Sequence, residues 1–287
     1  MRMFAAWVFV LVCPLAVHGQ GVVERLRAAW SQPVEPYRVI DNIYYVGASG
    51  ISSHIVSTSE GLILVDTGTT TMVPLIQAGI EKLGFGIKDV KIIVSSHAHW
   101  DHVEGHAEMK RRTGAKIMAL GEDAESIASG VDISALGGDG WEAVKVDRVL
   151  EDGDTVTLGD VTMTAHLTRG HTKGCTTWAT TVDGSGKELT VVFIGGTSIN
   201  GGVNFIDNKR HPGILEDYAR TFERLKDIQA DVFLAQHPSM YDMAGKMEKM
   251  KAGGSVNPFI NPEEYREFVR NEEGKYLKQA ALEKSGE

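Results

Sequence analysis

Short apolar runs alternate along the chain with segments of helical spacing, a rhythm typical of an α/β protein. The segment 30–47, WSQPVEPYRVIDNIYYVG, begins with prolines and continues with strand-like residues. The segment 51–68, ISSHIVSTSEGLILVDTG, predicts two short strands around a Ser-Glu-Gly turn. Residues 71–83 have apolar side chains at helical spacing, and the run 91–96, KIIVSS, predicts a buried strand.

The same rhythm continues in outline through the second half of the chain. Further strands are predicted at 116–119, 154–168 (with a Gly-Asp turn), 176–182, 189–195 and 231–235. Helices are predicted at 103–112, 214–228, 240–251 and 262–283, and the glycine-rich segment 121–144 predicts a short helix and a loop. Because no low-complexity linker separates the halves, we expect two mixed β-sheets with helices on their outer faces, forming one domain.

The first 19 residues, MRMFAAWVFVLVCPLAVHG, have the pattern of a secretory signal peptide that is cleaved after Gly19. The apolar stretch is short for a membrane span of about 20 residues, and Cys13 lacks the small residues that precede a lipidated cysteine. We therefore expect export to a bacterial periplasm and a mature domain of residues 20–287. Its single cysteine, Cys175, leaves no intrachain disulfide.

The composition limits the classes of molecule that the chain is expected to bind. With 43% apolar and 23% charged residues, the chain is an ordinary folded protein. Its net charge of −9 argues against general binding of nucleic acids or anionic membranes, which favour basic surfaces. We expect a monomer that acts on a small molecule and has no stable membrane association after cleavage.

Residues 97–102, HAHWDH, place three histidines and an aspartate where a predicted strand ends and a helix begins. Residues i and i+2 of an extended segment project to the same side, so His97 and His99 could share one metal ion. Asp101 and His102 would then face a neighbouring position. Imidazole and carboxylate groups at this spacing indicate a zinc site.

Four ligands from one loop are too many for one catalytic zinc and too few for two. His171 in RGHTKG and His237 in LAQHPSM lie at predicted strand ends and could complete two sites of three ligands each. Asp66, after the strand in LILVDTG, could cap that strand or fix ligand geometry beneath the metals, and we favour the second role. The remaining histidines of the mature chain are interpreted as core or surface residues: His54, His106, His166 and His211.

Together these residues resemble the metallo-β-lactamase superfamily, and more closely the class B β-lactamases of subclass B3. The HxHxDH motif is specific for the superfamily and not for the substrate. Subclass B3 is suggested by segments that cover nearly all of the mature chain in the family's order: PVEPYRVIDNIYYVG, LILVDTG, HAHWDHVEG, RGHTKGCTTW, HPGILEDYARTFERLK and DVFLAQHPSM. The resemblance implies a four-layer αβ/βα sandwich with a zinc site in a groove at one edge.

The resemblance also implies two zinc ions per chain, bridged by water or hydroxide. The implied ligands are His97, His99 and His171 for the first zinc, and Asp101, His102 and His237 for the second. Asp101 would also orient the attacking hydroxide, which makes it the predicted catalytic residue. In a sister subclass a cysteine ligand lies in the stretch that here reads Gly195-Gly196-Thr197-Ser198. Cys175 is not at that position, and we interpret it as structural.

The same GGTS stretch separates this chain from other branches of the family. Glyoxalase II-type thioesterases, lactonases and many phosphodiesterases have a metal-bridging aspartate there, in a Gly-Asp pair, and this chain does not. Many B3 members carry two serines in this region that contact the substrate carboxylate. Thr197 and Ile199 align with them, so we expect Thr197 and the intervening Ser198 to serve as the substrate contacts. Trp100, inside the metal loop, is expected to pack rather than to contact substrate.

The resemblance therefore implies hydrolysis of the β-lactam amide of penicillins, cephalosporins and carbapenems by a zinc-bound hydroxide, which confers antibiotic resistance. No SxxK motif with the partners of a serine β-lactamase is found. One alternative is another exported metallo-hydrolase, a lactonase or thioesterase, which would prefer lactones or thioesters. A second is a non-catalytic zinc-binding protein, which would bind zinc and hydrolyse none of these substrates.

Overall fold

The computed structural model describes residues 24–254 and 256–286. The predicted signal peptide lies outside these residues, so its cleavage and the export of the chain stay predictions. Residues 24–30 are helical and are labelled α1. Among the described helices, none combines the length and the apolar character that a membrane crossing requires.

The first sheet has seven strands in the order of the sequence, with antiparallel pairing from β1 to β4 and parallel pairing from β4 to β7. Its short last strand was not predicted, because only three residues after a long loop offer no periodic pattern. The strands are β1 Tyr37–Ile40, β2 Ile43–Tyr45, β3 His54–Thr58, β4 Gly61–Val65, β5 Val90–Val94, β6 Lys116–Leu120 and β7 Arg148–Leu150.

The second sheet has five strands in the spatial order β12-β11-β10-β9-β8. Only the pair of β11 and β12 is parallel, so this sheet is also mixed, as predicted. The strands are β8 Thr155–Leu158, β9 Val161–Leu167, β10 Thr176–Asp183, β11 Glu188–Ile194 and β12 Val232–Ala235.

The helix predicted at 103–112 is divided by Glu104 and Gly105 into a single turn and a longer helix. The predicted helix at 240–251 likewise begins with a 3-10 turn, Pro238–Tyr241. The α-helices after α1 are α2 Val73–Lys82, α3 Trp100–Val103, α4 His106–Thr113, α5 Gly121–Ser129, α6 Ile214–Asp227, α7 Met243–Lys251 and α8 Pro262–Ser285.

Two apolar clusters define four layers. Along β5, Ile92 and Val94 belong to the cluster between the sheets, whereas Ile93 belongs to the cluster beneath α2, α4 and α5. Successive strand residues face opposite sides, so each face of the first sheet buries its own set of side chains. On the outer side of the second sheet, α6 and α8 contribute Phe222 and Tyr265. The predicted αβ/βα sandwich, with the C-terminal helix covering a sheet, is therefore confirmed.

This arrangement brings the chemically active segments to one edge. Asp66 follows β4 and the HAHWDH segment follows β5, while His171 lies after β9 in the second sheet. The GGTS stretch follows β11 and His237 follows β12. Side chains at the ends of adjacent strands share one edge of the sandwich, where a rigid scaffold holds them.

Candidate metal centre

The first group of predicted ligands converges at this edge. His97, His99 and His171 each offer a ring nitrogen within 4.8 Å of the others, and all three side chains are buried. The ring of His171 lies 4.6 Å from those of both His97 and His99. Segments that are about 70 residues apart in the sequence thus form one cluster of donors that could hold a metal ion.

The second group adjoins the first. Asp101 Oδ2 lies 3.3 Å from His102 Nε2 and 3.6 Å from His237 Nε2. The rings of His97 and His102 are 4.3 Å apart, and the donor atoms of His97, Asp101 and His102 also lie within 4.8 Å of one another. His97 therefore lies next to both groups, as two neighbouring metal positions would require.

Backbone carbonyls fix the tautomers of two of the histidines. His171 Nδ1 lies 2.7 Å from the carbonyl oxygen of Ser198, and His237 Nδ1 lies 2.8 Å from that of Gly50. A carbonyl can only accept, so each Nδ1 must carry the proton and donate. The Nε2 lone pair of each ring is therefore free to bind a metal ion.

Asp66 contacts residues that could orient two further candidate ligands, His97 and His102. Its carboxylate accepts hydrogen bonds from the Ser96 N–H (2.7 Å) and the Ser96 hydroxyl (2.6 Å). Because that hydroxyl donates to Asp66, it can accept from His97 Nδ1, 3.2 Å away. Asp66 Oδ2 also lies 3.3 Å from His102 Nδ1. The buried Asp66 thus lies behind ligands of both groups.

His99 is oriented by residues that the sequence analysis missed. Its Nε2 lies 3.1 Å from the hydroxyl of Ser134, and Asp132 Oδ2 is 4.0 Å away. Arg210 donates to the carbonyls of Asp132 (2.7 Å) and Ser134 (2.8 Å) and so holds this loop in place. The residues belong to an irregular loop and a distant turn, and no local pattern indicates that they meet.

Asp123 on α5 is a second residue that was missed. Its buried carboxylate accepts from Ala98 N–H (2.8 Å), from the Thr172 hydroxyl (2.6 Å) and from Gly174 N–H (2.7 Å). Burial raises the pKa of Asp123 to about 6, although these hydrogen bonds oppose the rise. In the sequence, Asp123 resembles an ordinary acidic residue in the first turn of a helix.

Burial leaves the first group in the protonation state that metal binding requires. It lowers the pKa of His99 to about 4 and that of His171 to about 3, so both rings are neutral at pH 7. Burial and the neighbouring histidines hold the pKa of His97 well below its usual range. Neutral imidazoles are the form in which histidine binds metals.

The second group has a different electrostatic character. Burial opposes ionisation of Asp101, but His102 and His237 hold the pKa of its carboxyl below the ordinary value. Burial alone would lower the pKa of His102, yet Asp101 raises it to about 10. Neither ring nitrogen of His102 has a hydrogen-bond partner of good geometry among the described residues. A buried anion beside unpartnered imidazole nitrogen suits a divalent cation such as zinc, so the donor set fits the predicted metal.

The glycines of the GGTS stretch allow close packing behind His171. A Cβ on Gly196 would lie 2.2 Å from the His171 ring, and a Cβ on Gly195 would lie 2.6 Å from Cys175 Sγ. Cys175 is buried, which raises the pKa of its thiol, and its Sγ lies 3.4 Å from the Gly196 carbonyl oxygen. This environment agrees with a structural role for Cys175.

The two predicted substrate contacts differ in their access to the pocket. Thr197 is only 2% exposed, and its hydroxyl has no hydrogen-bond partner among the described residues. Ser198 lines the pocket above the ligands, together with Asn200, which the sequence analysis did not single out. Of the two residues, Ser198 and not Thr197 therefore lines the pocket.

The pocket above the ligands has a volume of about 390 Å³, which suits a small molecule. Leu26, Trp30, Trp100 and Leu136 give it an apolar wall. The ring of Trp100 stacks on that of Trp30, with centroids 6.1 Å apart and planes 7° apart. The expectation for Trp100 was incomplete, because its side chain both packs and lines the pocket.

The other histidines lie outside the two ligand groups. His54 is buried in the core. The two ring nitrogens of His106 form hydrogen bonds of 2.7 Å with the hydroxyls of Thr67 and Ser95. His211 pairs with Asp217 at 2.8 Å. His166 borders a larger groove of 870 Å³ between α6 and the second sheet, and no candidate ligand lines that groove. Charged residues of that groove pair with one another, as Arg224 does with Asp152.

Comparisons with known proteins agree with this geometry. The family model of the metallo-beta-lactamase superfamily matches residues 46–237. The native FEZ-1 metallo-beta-lactamase from Legionella gormanii is 36% identical, with a TM-score of 0.84 over 87% of this chain and 97% of its own. BJP-1, a subclass B3 metallo-beta-lactamase of Bradyrhizobium japonicum, is 39% identical, with a TM-score of 0.82 over 90% of this chain and 97% of its own.

Curated relatives match over shorter stretches. An acyl-coenzyme A thioesterase of Bos taurus is 26% identical over 151 residues, which are 48% of this chain and 50% of the thioesterase. The chain spans about a third to a half of the length of the curated relatives it matches. The full-length similarity is therefore to the solved β-lactamase structures.

Proposed function

The chain belongs to the metallo-β-lactamase superfamily, and from this premise we propose that it is a zinc-dependent β-lactamase of the subclass B3 type. It would hydrolyse the β-lactam amide of penicillins, cephalosporins and carbapenems and so confer resistance to them. The observation that carries the proposal is the pair of adjoining ligand groups at the base of a pocket, in a chain that covers subclass B3 structures almost end to end. Export to the periplasm, where β-lactams act, belongs to the same proposal.

The proposal assigns one zinc ion to each of the two groups. His97, His99 and His171 would hold one zinc ion, and Asp101, His102 and His237 the other. Bound zinc supplies Lewis acidity and lowers the pKa of a coordinated water to about 7, which makes a nucleophile available at neutral pH.

Asp101 would be the catalytic residue among the protein's own groups. Its carboxylate is ionised and lies between the rings of His102 and His237 at the base of the pocket. An ionised carboxylate can accept a hydrogen bond from the attacking water and orient its lone pair toward the lactam carbonyl. Hydrolysis places a hydroxyl on the carbonyl carbon and a proton on the released nitrogen, and solvent in the pocket can supply that proton.

The pocket wall provides the substrate contacts. The Ser198 hydroxyl and the Asn200 amide line the pocket beside His171 and can donate to the substrate carboxylate. The apolar face of Trp30 and Trp100 can contact the substituents of the β-lactam. Thr197, which is buried, would support the backbone of this segment instead.

Thioester hydrolysis is the second candidate, favoured by the similarity to an acyl-coenzyme A thioesterase across 48% of this chain. The residues after β11 argue against it, because Gly195 to Ser198 offer no metal-bridging carboxylate. A zinc-binding protein without catalysis would share the ligands and lack turnover.

One set of assays separates these functions. Purified residues 20–287 would be tested on a penicillin, a cephalosporin and a carbapenem, with a lactone and a thioester in parallel. Each turnover would be measured with and without a chelator, and zinc content would be measured on the same sample. Fast, chelator-sensitive β-lactam turnover with about two zincs per chain supports the proposal. Full zinc loading without β-lactam turnover contradicts it, and the other two substrates then distinguish a different hydrolase from a silent zinc protein.

A further inference from the structure

Trp30, at the end of α1, contacts the residue that orients His237. The N–H of Gly50 donates to the Trp30 carbonyl at 3.0 Å, and the Gly50 carbonyl accepts from His237 Nδ1 at 2.8 Å. The same short peptide segment therefore bonds to α1 on one side and to a metal ligand on the other. We propose that Trp30 is a positioning residue for His237 and that it sets the metal affinity of the group formed by Asp101, His102 and His237.

Gly50 transmits this contact because it has no side chain. A Cβ at this position would lie 2.5 Å from Trp30 Cδ1, 2.6 Å from Cγ and 2.7 Å from Cβ. The three nearest atoms all belong to Trp30, and Gly50 does not have the positive φ that by itself would require glycine. The Cβ, Cγ and Cδ1 atoms of Trp30 thus pack directly against the Gly50 peptide and fix the direction of the Gly50 carbonyl.

Trp30 also contacts His237 directly. The two rings are 5.3 Å apart at an angle of 57°. The carbonyl of Gly50 and the indole of Trp30 therefore restrict the His237 ring from two directions. A ring that is held in this way presents Nε2 toward Asp101 Oδ2, which is 3.6 Å away.

The position of Trp30 is itself fixed by the HAHWDH loop. Its ring stacks on Trp100, which precedes Asp101 in the sequence, and Arg27 lies 4.5 Å above the Trp100 ring. Arg27 also forms an ion pair with Glu104, just beyond α3. Trp30 therefore lies between the loop that carries Asp101 and His102 and the loop that holds His237.

Loss of the Trp30 side chain should lower the metal affinity of only one of the two groups, the one that contains His237. His97, His99 and His171 take their orienting contacts from Ser96, Ser134 and Ser198 instead. The affinity of the first group thus serves as an internal control. This inference rests on the proposed function only in assuming that both groups bind zinc.

The first test measures zinc affinity and needs no substrate. Stepwise zinc affinities would be determined by competition with a chromophoric chelator for the wild type, Trp30→Ala, Trp30→Phe and Leu26→Ala. Loss of a residue that orients a ligand lowers metal affinity about 10- to 100-fold, so we expect about a tenfold loss at one site in Trp30→Ala. Trp30→Phe should recover most of it, since a ring remains against Gly50. Leu26→Ala, which removes another pocket residue of α1, should leave both affinities unchanged.

The second test uses Gly50. Gly50→Ala in the wild type would force Cβ against Trp30 and displace the carbonyl, so it should lower the same affinity. In a Trp30→Gly background all three of those atoms are absent, so Gly50→Ala should add little to the loss of affinity. Such non-additivity in a double-mutant cycle is the signature of two residues acting through one contact.

Several outcomes would overturn the proposal. Unchanged zinc affinities in a folded Trp30→Ala would do so, and so would an equal loss at both sites or an additive double-mutant cycle. Thermal unfolding of the metal-free variants checks that each one is folded. Since no β-lactam is used, a failure of the proposed β-lactamase function would leave these results interpretable.

Discussion

The carboxylate of Asp123 accepts a hydrogen bond from the N–H of Ala98, the residue between His97 and His99. The same carboxylate accepts from Thr172 and Gly174, which follow His171 in the sequence. One buried side chain therefore ties together the two loops that carry the first ligand group.

Replacing Asp123 by Asn should loosen this connection. The single amide oxygen of asparagine cannot accept from all three donors, and the amide NH₂ would face at least one of them. A buried unsatisfied donor costs about 1–3 kcal/mol, so Asp123→Asn should lower the free energy of unfolding by about that amount and weaken zinc binding. Chemical denaturation and zinc titration measure the two effects.

The matched control is Glu122→Gln, one residue earlier on α5. Glu122 pairs with Arg169 at a partly exposed site, where an ion pair contributes little. Equal behaviour of the two variants would show that Asp123 is not the connection between the loops.

Removal of a candidate ligand should distinguish His171 from His166, a histidine within β9. His171→Ala should lower zinc content by about one ion per chain and reduce kcat/KM at least about 100-fold. His166→Ala, which changes a partly exposed residue outside the cluster, should leave both unchanged. Metal analysis and steady-state kinetics on the same preparations decide this, and full zinc content in His171→Ala would refute the assignment.

Asp101→Asn tests the predicted catalytic residue while nearly preserving its shape. The amide lacks the negative charge that Asp101 presents between His102 and His237. We expect kcat to fall about 100- to 10 000-fold, as is typical for loss of a group that handles the proton of the attacking water. Kinetics at saturating zinc would separate this effect from weaker metal binding, and a kcat near that of the wild type would contradict the role.

The two ligand groups should respond differently to pH. The pKa of His99 is lowered to about 4 and that of His171 to about 3, so the first group holds no protons to displace between pH 6 and 8. The pKa of His102 is raised to about 10, so the metal-free second group is protonated in that range. A cation that binds there must release this proton, and its affinity should rise about tenfold per pH unit.

Calorimetric zinc titrations in buffers of different ionisation enthalpy would count the protons released at each step. At pH 7 we expect zinc binding to release about one proton from the second group and none from the histidine rings of the first group. Release of much less than one proton at the second step would show that His102 is neutral before metal binds.

The substrate contacts can be tested residue by residue. Ser198→Ala and Asn200→Ala should each raise KM about 3- to 10-fold, the value of one or two lost hydrogen bonds, with a smaller effect on kcat. Thr197→Val keeps the shape of a buried residue and should leave KM nearly unchanged. A large KM effect only in Thr197→Val would reverse the assignment.

The layers of the fold and most of the candidate ligands were predictable from the order of the residues. The apolar runs of β4 and β5 and the helical spacing of α2 and α6 involve residues only a few positions apart, so these patterns are visible without a structure. The HxHxDH motif is equally local. The short strand β7 escaped prediction, because three residues contain less than two periods of alternation.

The contacts that hold the candidate ligands in place depend instead on the tertiary structure. His237 bonds to Gly50 across 187 positions, Arg210 reaches Ser134 across 76, and Asp123 reaches Gly174 across 51. Such contacts depend on how separate loops pack at one edge of the sandwich, and the residues that make them are ordinary glycines, serines and acids. The burial of Thr197 and the exposure of Ser198 to the pocket follow from the path of one backbone turn, which residue types alone do not specify.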